Sequence, residues 1–295
     1  MAEFTIEDGD LTRLRGKVII VTGTVFHNSA SVSPPHHIIH KCCQTNSVHL
    51  ASPTGGSSGL GLATVELLLG LGAAVVSGDQ RPPPAPQVIY PSAGSDAAAF
   101  FTYIPTDMGV WADLVRLFQR AIQVHGRIDH VFANAEGVPL RGDYVTAMAL
   151  GADGEPQEPC HTVLDVHLKG AINTTTLAIH HYMRTQDPQG GSIVLNGSTT
   201  GLQDAGGVDH VISKYGILGF ARGLNSNLDM AALSVRVNVL MPGRADSELL
   251  EVIVADAARD VAQLMADPTK DSHVVYAGER RCSKIEEAVI LPAHR

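Results

Sequence analysis

The stretch Thr54-Gly55-Gly56-Ser57-Ser58-Gly59-Leu60-Gly61 decides how this chain is read. Its glycines let the backbone turn tightly and approach an anion without a Cβ in the way. A helical pattern, Leu62-Ala63-Thr64-Val65-Glu66-Leu67-Leu68-Leu69, follows at once. The free N–H groups at the start of that helix then face the anion. Asp79 closes the next apolar run, about 20 residues on, where a carboxylate can accept hydrogen bonds from an adenosine ribose. Turn, helix and acid together predict a dinucleotide-binding unit. Gly55, Ser57, Ser58, Gly59, Leu60 and Gly61 are the candidate cradle for the pyrophosphate, and Asp79 the ribose acid. A charged Asp79 would repel a 2′-phosphate, which favours NAD, while Arg81 keeps NADP open.

Upstream, Val18-Ile19-Ile20-Val21 reads as a parallel strand covered on both faces and ends at Thr22-Gly23. The glycine turn should follow within a few residues. Instead residues 24–55 intervene, rich in Ser, His and Pro, with no sustained period of two or 3.6. Thr22-Gly23 repeats as Thr54-Gly55, and joining the two copies restores an uninterrupted strand–turn–helix. The expectation is an inserted, irregular segment of the kind left by a translated intron. It holds His27, His36, His37, His40 and His49 beside Cys42-Cys43, but adjacent cysteines lack the usual ligand spacing, so no metal site is assigned.

Downstream, strands are expected at 74–77, 100–104, 128–132, 192–196 and 235–239, with helices over about 110–125, 163–183 and 211–229. Strands that alternate with helices imply a doubly wound parallel sheet of Rossmann type, here one domain over 1–295. Residues 1–15 read as a polar arm. The segment 244–295 reads as a substrate lid, with apolar residues at Leu249, Leu250, Val252, Val254, Leu264 and Met265, and a C-terminal tail.

The 295 residues are 44% hydrophobic and carry a net charge of −9 with no basic block, which argues against a nucleic-acid partner. The acidic start MAEFTIEDGD has no apolar core, and the most apolar stretch is too short to span a bilayer. Four cysteines without a framework pattern fit reduced thiols. A cytoplasmic protein that acts on a small molecule, without nucleic acid or membrane, is the expectation.

Thr54–Gly61, Ala133-Asn134-Ala135-Glu136 after the fourth strand, Ser198 after the fifth and Pro242-Gly243 after the sixth resemble the short-chain dehydrogenase/reductase family. Fungal secondary-metabolism members are the most similar, through Val163-Leu164-Asp165-Val166 and Ile285-Glu286-Glu287. The resemblance implies NAD(P)-dependent oxidoreduction of a secondary alcohol or ketone by a homo-oligomer. It implies an adenine contact at Asp107, a cofactor-lining Asn134, a substrate-orienting Ser198 and a ribose-binding Lys214. Lys169, Ala245 and Ser247 stand at further cofactor-contact positions.

The resemblance breaks at two residues. The family places a tyrosine four residues before the lysine; here His210 precedes Lys214. The family asparagine on the preceding helix is His167. Imidazole exchanges protons near neutral pH, so His210 can take the tyrosine's part, yet it reaches about 2 Å less far, and a misplacement of about 1 Å already costs about 10²-fold. Tyr215, five residues after His210, falls on another helix face. Candidate catalytic residues are therefore His167, Ser198, His210 and Lys214. Two other readings remain open: a dehydrogenase fold turned to non-redox or binding work, and an inactive mis-spliced product.

Overall fold

The computed structural model describes residues 2–4, 8–23, 57–80, 82, 97–134, 150–199, 207–227, 232–243, 250–278 and 281–284. The segment 24–55, with Gly55, and the contact positions Ala245 and Ser247 lie outside the described residues. So do Arg81, Leu249, Ile285-Glu286-Glu287 and residues 135–149.

The β-branched run at the first expected strand forms β2, Val18–Thr22, in which every residue is buried. Ile20 packs into one core, while Ile19 and Val21 pack into the other. Alternate side chains leave a strand on opposite faces, so two cores mean that both faces of the sheet are covered. The same alternation recurs on β6, Gly191–Asn196: Ile193 and Leu195 join Ile20, and Val194 joins Ile19.

Seven strands run parallel in the order β4 (Phe101–Pro105), β3 (Ala74–Asp79), β2, β5 (His130–Ala133), β6, β7 (Val235–Pro242) and β8 (Val274–Gly278). β9, Arg281–Lys284, adds antiparallel to β8, and β1, Ala2–Phe4, antiparallel to β9. The doubly wound parallel sheet expected from sequence is thus present, with more strands at one edge.

On the Ile20 face lie α4 (Trp111–His125), α5 and α6 (Val208–Asn225). α5 is a continuous run of Leu164–Lys169, Gly170–Leu177 and Ala178–Met183, whose first and last parts are wide, π-type turns. On the Ile19 face lie α2 (Ser57–Gly70) and α7 (Leu250–Ala266), packed on one another. α1, Asp8–Leu11, joins them, and the short α3, Ala97–Phe100, precedes β4.

Two chain ends differ from the sequence expectation. Leu11 and Leu14, three apart on adjoining helical turns, are fully buried against α7, so the polar arm contributes core. Residues 274–278, read as tail, supply the seventh parallel strand. On α7 itself, Leu264 and Met265 are core while Val252 is exposed.

Arg236 on β7 fixes the end of α7. One guanidinium nitrogen donates to the carbonyls of Leu264, Asp267 and Lys270 at 3.0, 2.9 and 2.6 Å, and the other to Met265 at 2.8 Å. A cation at a helix C-terminus satisfies carbonyls that have no intrahelical partner and complements the helix dipole.

Candidate active site

β2, β3, β5 and β6 are parallel and paired so that Thr22 lies opposite Gly78 and Ala133, and Ala133 opposite Leu195. The next residues, Gly23, Asn134 and Asn196, therefore reach one level at the carboxyl edge. The connectivity reverses between β2 and β5, and parallel sheets bind ligands at that point. Because α2 carries the chain from the carboxyl end of β2 back to the start of parallel β3, its N-terminus at Ser57 stands on the same edge.

A buried polar relay crosses this edge. The Asn134 amide donates to the Gly23 carbonyl at 2.8 Å, and its Oδ1 accepts from Asn196 Nδ2 at 2.8 Å. The Asn134 backbone N–H donates to Thr22 Oγ1 at 3.2 Å. The Asn196 carbonyl accepts from Lys214 Nζ at 3.1 Å. Lys214 is buried, so its amine has been drawn out of water, where a polar group needs a partner such as the Asn196 carbonyl.

α6 delivers that lysine. Its buried stripe is Asp209, His210, Ser213, Lys214, Ile217, Leu218 and Ala221, the spacing of one helix face. His210 and Lys214 thus share a face, and Tyr215 is 52% exposed on another, as the helical period requires. His167 comes from the first wide turn of α5. The two imidazoles are 2% and 7% exposed, with ring centroids 5.7 Å apart and planes at 86°. Gly216 permits the approach: a Cβ there would lie 2.6 Å from Leu168 Cδ2, so a bare backbone lets α6 close on α5 beside the pair.

Ser198 is half-buried two residues past the end of β6, and the neighbouring Thr199 hydroxyl donates to the Pro242 carbonyl at 3.3 Å. Asp79 is buried at the end of β3. Its carbonyl accepts from the Tyr103 hydroxyl at 2.9 Å, and burial together with the Asp79 charge pushes that phenol up to about 12. Leu60 is core; Gly59 and Gly61 lie in the first turns of α2, as does the backbone of Ser57 and Ser58. Asp107 is half-buried and caps a local turn: its Oδ1 accepts from Gly109 N–H at 2.8 Å. Lys169 stands apart from the histidine face, exposed and paired with Asp165 at 3.3 Å.

Two buried polar positions at the candidate site escaped the sequence reading. Asn196 links Asn134 to Lys214, and Asp209 is buried beside His210, whose N–H it accepts at 2.7 Å. A polar residue closing an apolar strand was the available signal for Asn196.

The donor set fits a nicotinamide dinucleotide by its chemistry. A helix N-terminus suits the pyrophosphate, a buried carboxylate at the end of β3 suits ribose hydroxyls, and a buried ammonium with an amide relay stands across the switch point. Among the described residues no group of three or more His, Cys, Asp or Glu side chains could hold a metal ion. No described helix is long and apolar enough to cross a membrane.

Comparison with known proteins agrees with this geometry. The short chain dehydrogenase family model matches residues 50–258. The match starts after β2, although β2 is central to the sheet. The short-chain dehydrogenase/reductase ascJ of Acremonium egyptiacum is 36% identical over 306 aligned residues, covering 99% of this chain and 88% of that protein. Prx4 of Penicillium rubens, named a short-chain dehydrogenase/reductase, is 28% identical, covering 93% and 67%. In fold, the chain is similar to an NADH-dependent reductase A1-R′ solved with NAD, at a TM-score of 0.63 and 18% identity, covering 91% and 97%. On the relay at the switch point, the family match and the Acremonium relative, the chain belongs to the short-chain dehydrogenase family.

Proposed function

We propose that this protein is an NAD(P)-dependent oxidoreductase acting on a secondary alcohol or ketone, with NAD favoured over NADP. The observation that carries the reading is Lys214, buried and hydrogen-bonded to the Asn196 carbonyl, with His210 one helical turn before it on the same face. Bound nicotinamide would supply or accept the hydride. Asp79 and Lys214 would hold ribose hydroxyls, and Asn134 would line the cofactor. Asp107, Lys169, Ala245 and Ser247 are proposed further contacts with it. Ser198 orients the substrate oxygen, and His210 gives a proton to that oxygen or takes one from it.

The relatives from Acremonium and Penicillium support a place in fungal secondary metabolism. A homo-oligomer is part of the same reading, supported by Val208, Ile212 and Tyr215, which are exposed at helical spacing along α6. The segment 24–55 is proposed as foreign to the domain, supported by a family match that begins only at residue 50, past most of it.

Calorimetric titration of NADH and NADPH into the full chain and into a chain without residues 24–55 tests the binding half. Binding of NADH in preference to NADPH is expected; no heat from either nucleotide in either protein overturns the reading. The chemical half predicts that His210→Tyr raises ketone reduction, because a phenol reaches about 2 Å further than imidazole.

A further inference from the structure

We propose that His167 and His210 grip a single oxygen atom of the substrate between them, which adds His167 to Ser198 and His210 as a catalytic residue. The inference rests on the oxidoreductase reading above.

The distance between the rings carries it. Each ring nitrogen lies about 1.1 Å from its centroid, so at the observed separation two nitrogens aimed straight at each other remain about 3.4 Å apart, beyond hydrogen-bond range. The imidazoles do not bond one another directly. One oxygen held about 2.8 Å from a nitrogen of each, at a water-like angle, sets the centroids about 6 Å apart. The observed 5.7 Å, with the ring planes at 86°, leaves room for such a third atom. A metal ion is the poorer candidate, because no third ligating side chain joins the two among the described residues.

Their placement agrees. Both rings are buried, His210 on the face of α6 that carries Lys214 and His167 on α5 beside it, where the cofactor and substrate would meet. His167 lies in a π-type turn, a device that re-aims side chains and recurs at functional sites. An imidazole nitrogen donates or accepts according to its proton, so the pair serves either direction of reaction. In reduction the carbonyl carbon gains hydride from the reduced nicotinamide, and the π pair of the C=O bond moves onto oxygen. That oxygen takes a proton from one imidazolium, which is left neutral, while the other ring holds it by a hydrogen bond.

A double-mutant cycle tests the grip. kcat/KM with NADH is measured on a panel of ketones for the unaltered chain, His167→Asn, His210→Tyr and the double variant. The grip requires His167→Asn to lower kcat/KM by about 10²-fold in the histidine background, as loss of a proton-transfer partner does. In the His210→Tyr background, where the phenol acts alone, the change should stay below about 5-fold. Equal losses in both backgrounds, or none in either, overturn it.

A second readout needs no turnover. Hexafluoroisopropanol, a secondary alcohol too electron-poor to release hydride, is titrated by fluorine NMR into the NAD-saturated protein. His167→Asn should weaken its binding about 10-fold while NAD affinity is retained, the loss of about one good hydrogen bond. Unchanged binding overturns the grip. Weakened binding in a protein that reduces no ketone supports the grip and overturns the oxidoreductase reading.

Discussion

The side-chain amide of Asn196 donates to Oδ1 of Asn134 across 2.8 Å, and so ties the carboxyl ends of β5 and β6 together. Asn134 passes the constraint to β2 through the Gly23 carbonyl, and Asn196 passes it to α6 through Lys214. Four elements are thereby held by one buried chain of polar groups.

Asn134→Ala should therefore act on stability as well as on cofactor affinity. It leaves the Gly23 carbonyl and the Asn196 amide without these partners in a buried place, at about 1–3 kcal/mol for each such group. Urea unfolding should show a loss of about 2–6 kcal/mol. A loss under about 0.5 kcal/mol would mean that water replaces the amide, and that the relay does not organise the edge.

Arg236→Met should loosen the end of α7. The variant loses four donated hydrogen bonds to the carbonyls that close the helix, although it also removes a partly buried cation. Burial lowers the pKa of Arg236, opposed by Asp271 and Asp267. A net loss of about 2–4 kcal/mol is expected, with amide exchange faster at 264–270 than elsewhere. Arg236→Lys keeps the charge without the fork and should recover only part of it.

Acid should destabilise the fold through His130. Burial pushes this imidazole down to about 3; Arg236, Lys17 and Arg127 push the same way, and Asp129 opposes them. An unfolded histidine titrates near 6.5, so between about 6.5 and 3 the unfolded chain holds a proton that the native chain lacks. The stabilisation is present above about 6.5 and is lost as pH falls, by about 1.4 kcal/mol per pH unit. His130→Asn should flatten the stability profile by one proton over that range; superimposable profiles would exclude His130 as the source.

Asp79→Ser should move the preference from NADH toward NADPH, by removing the carboxylate that repels a 2′-phosphate. Competitive titration of the two nucleotides reads the ratio. An unchanged ratio would place the adenosine ribose away from the end of β3.

Ile212→Glu should dissociate the homo-oligomer if the exposed stripe of α6 forms its interface, because a buried unpaired carboxylate is costly. Light scattering at several protein concentrations gives the mass. An unaltered mass would put the interface elsewhere.

The sequence by itself determined the sheet and its winding. The Val18–Val21 run, the helix beginning within Thr54–Gly61 and the apolar runs that end at Asp79, Asn134 and Asn196 are local patterns, and a period of two or 3.6 shows in the residues themselves. Gly126 marked the end of α4 for the same reason, since a left-handed φ of 77° there closes the helix. The edge strands were hidden. β1, β8 and β9 are short, and β1 joins β9 from the other end of the chain while β8 joins β7 across α7, so composition alone made them arm and tail. Only the tertiary structure decided that Asn196 joins Asn134 to Lys214, and that Arg236 closes a helix some 30 residues away. It alone brought His167 and His210 to 5.7 Å, because α5 and α6 approach one another where Gly216 carries no side chain. A motif records which groups a site contains; the distance between two helices determines whether they meet on one atom.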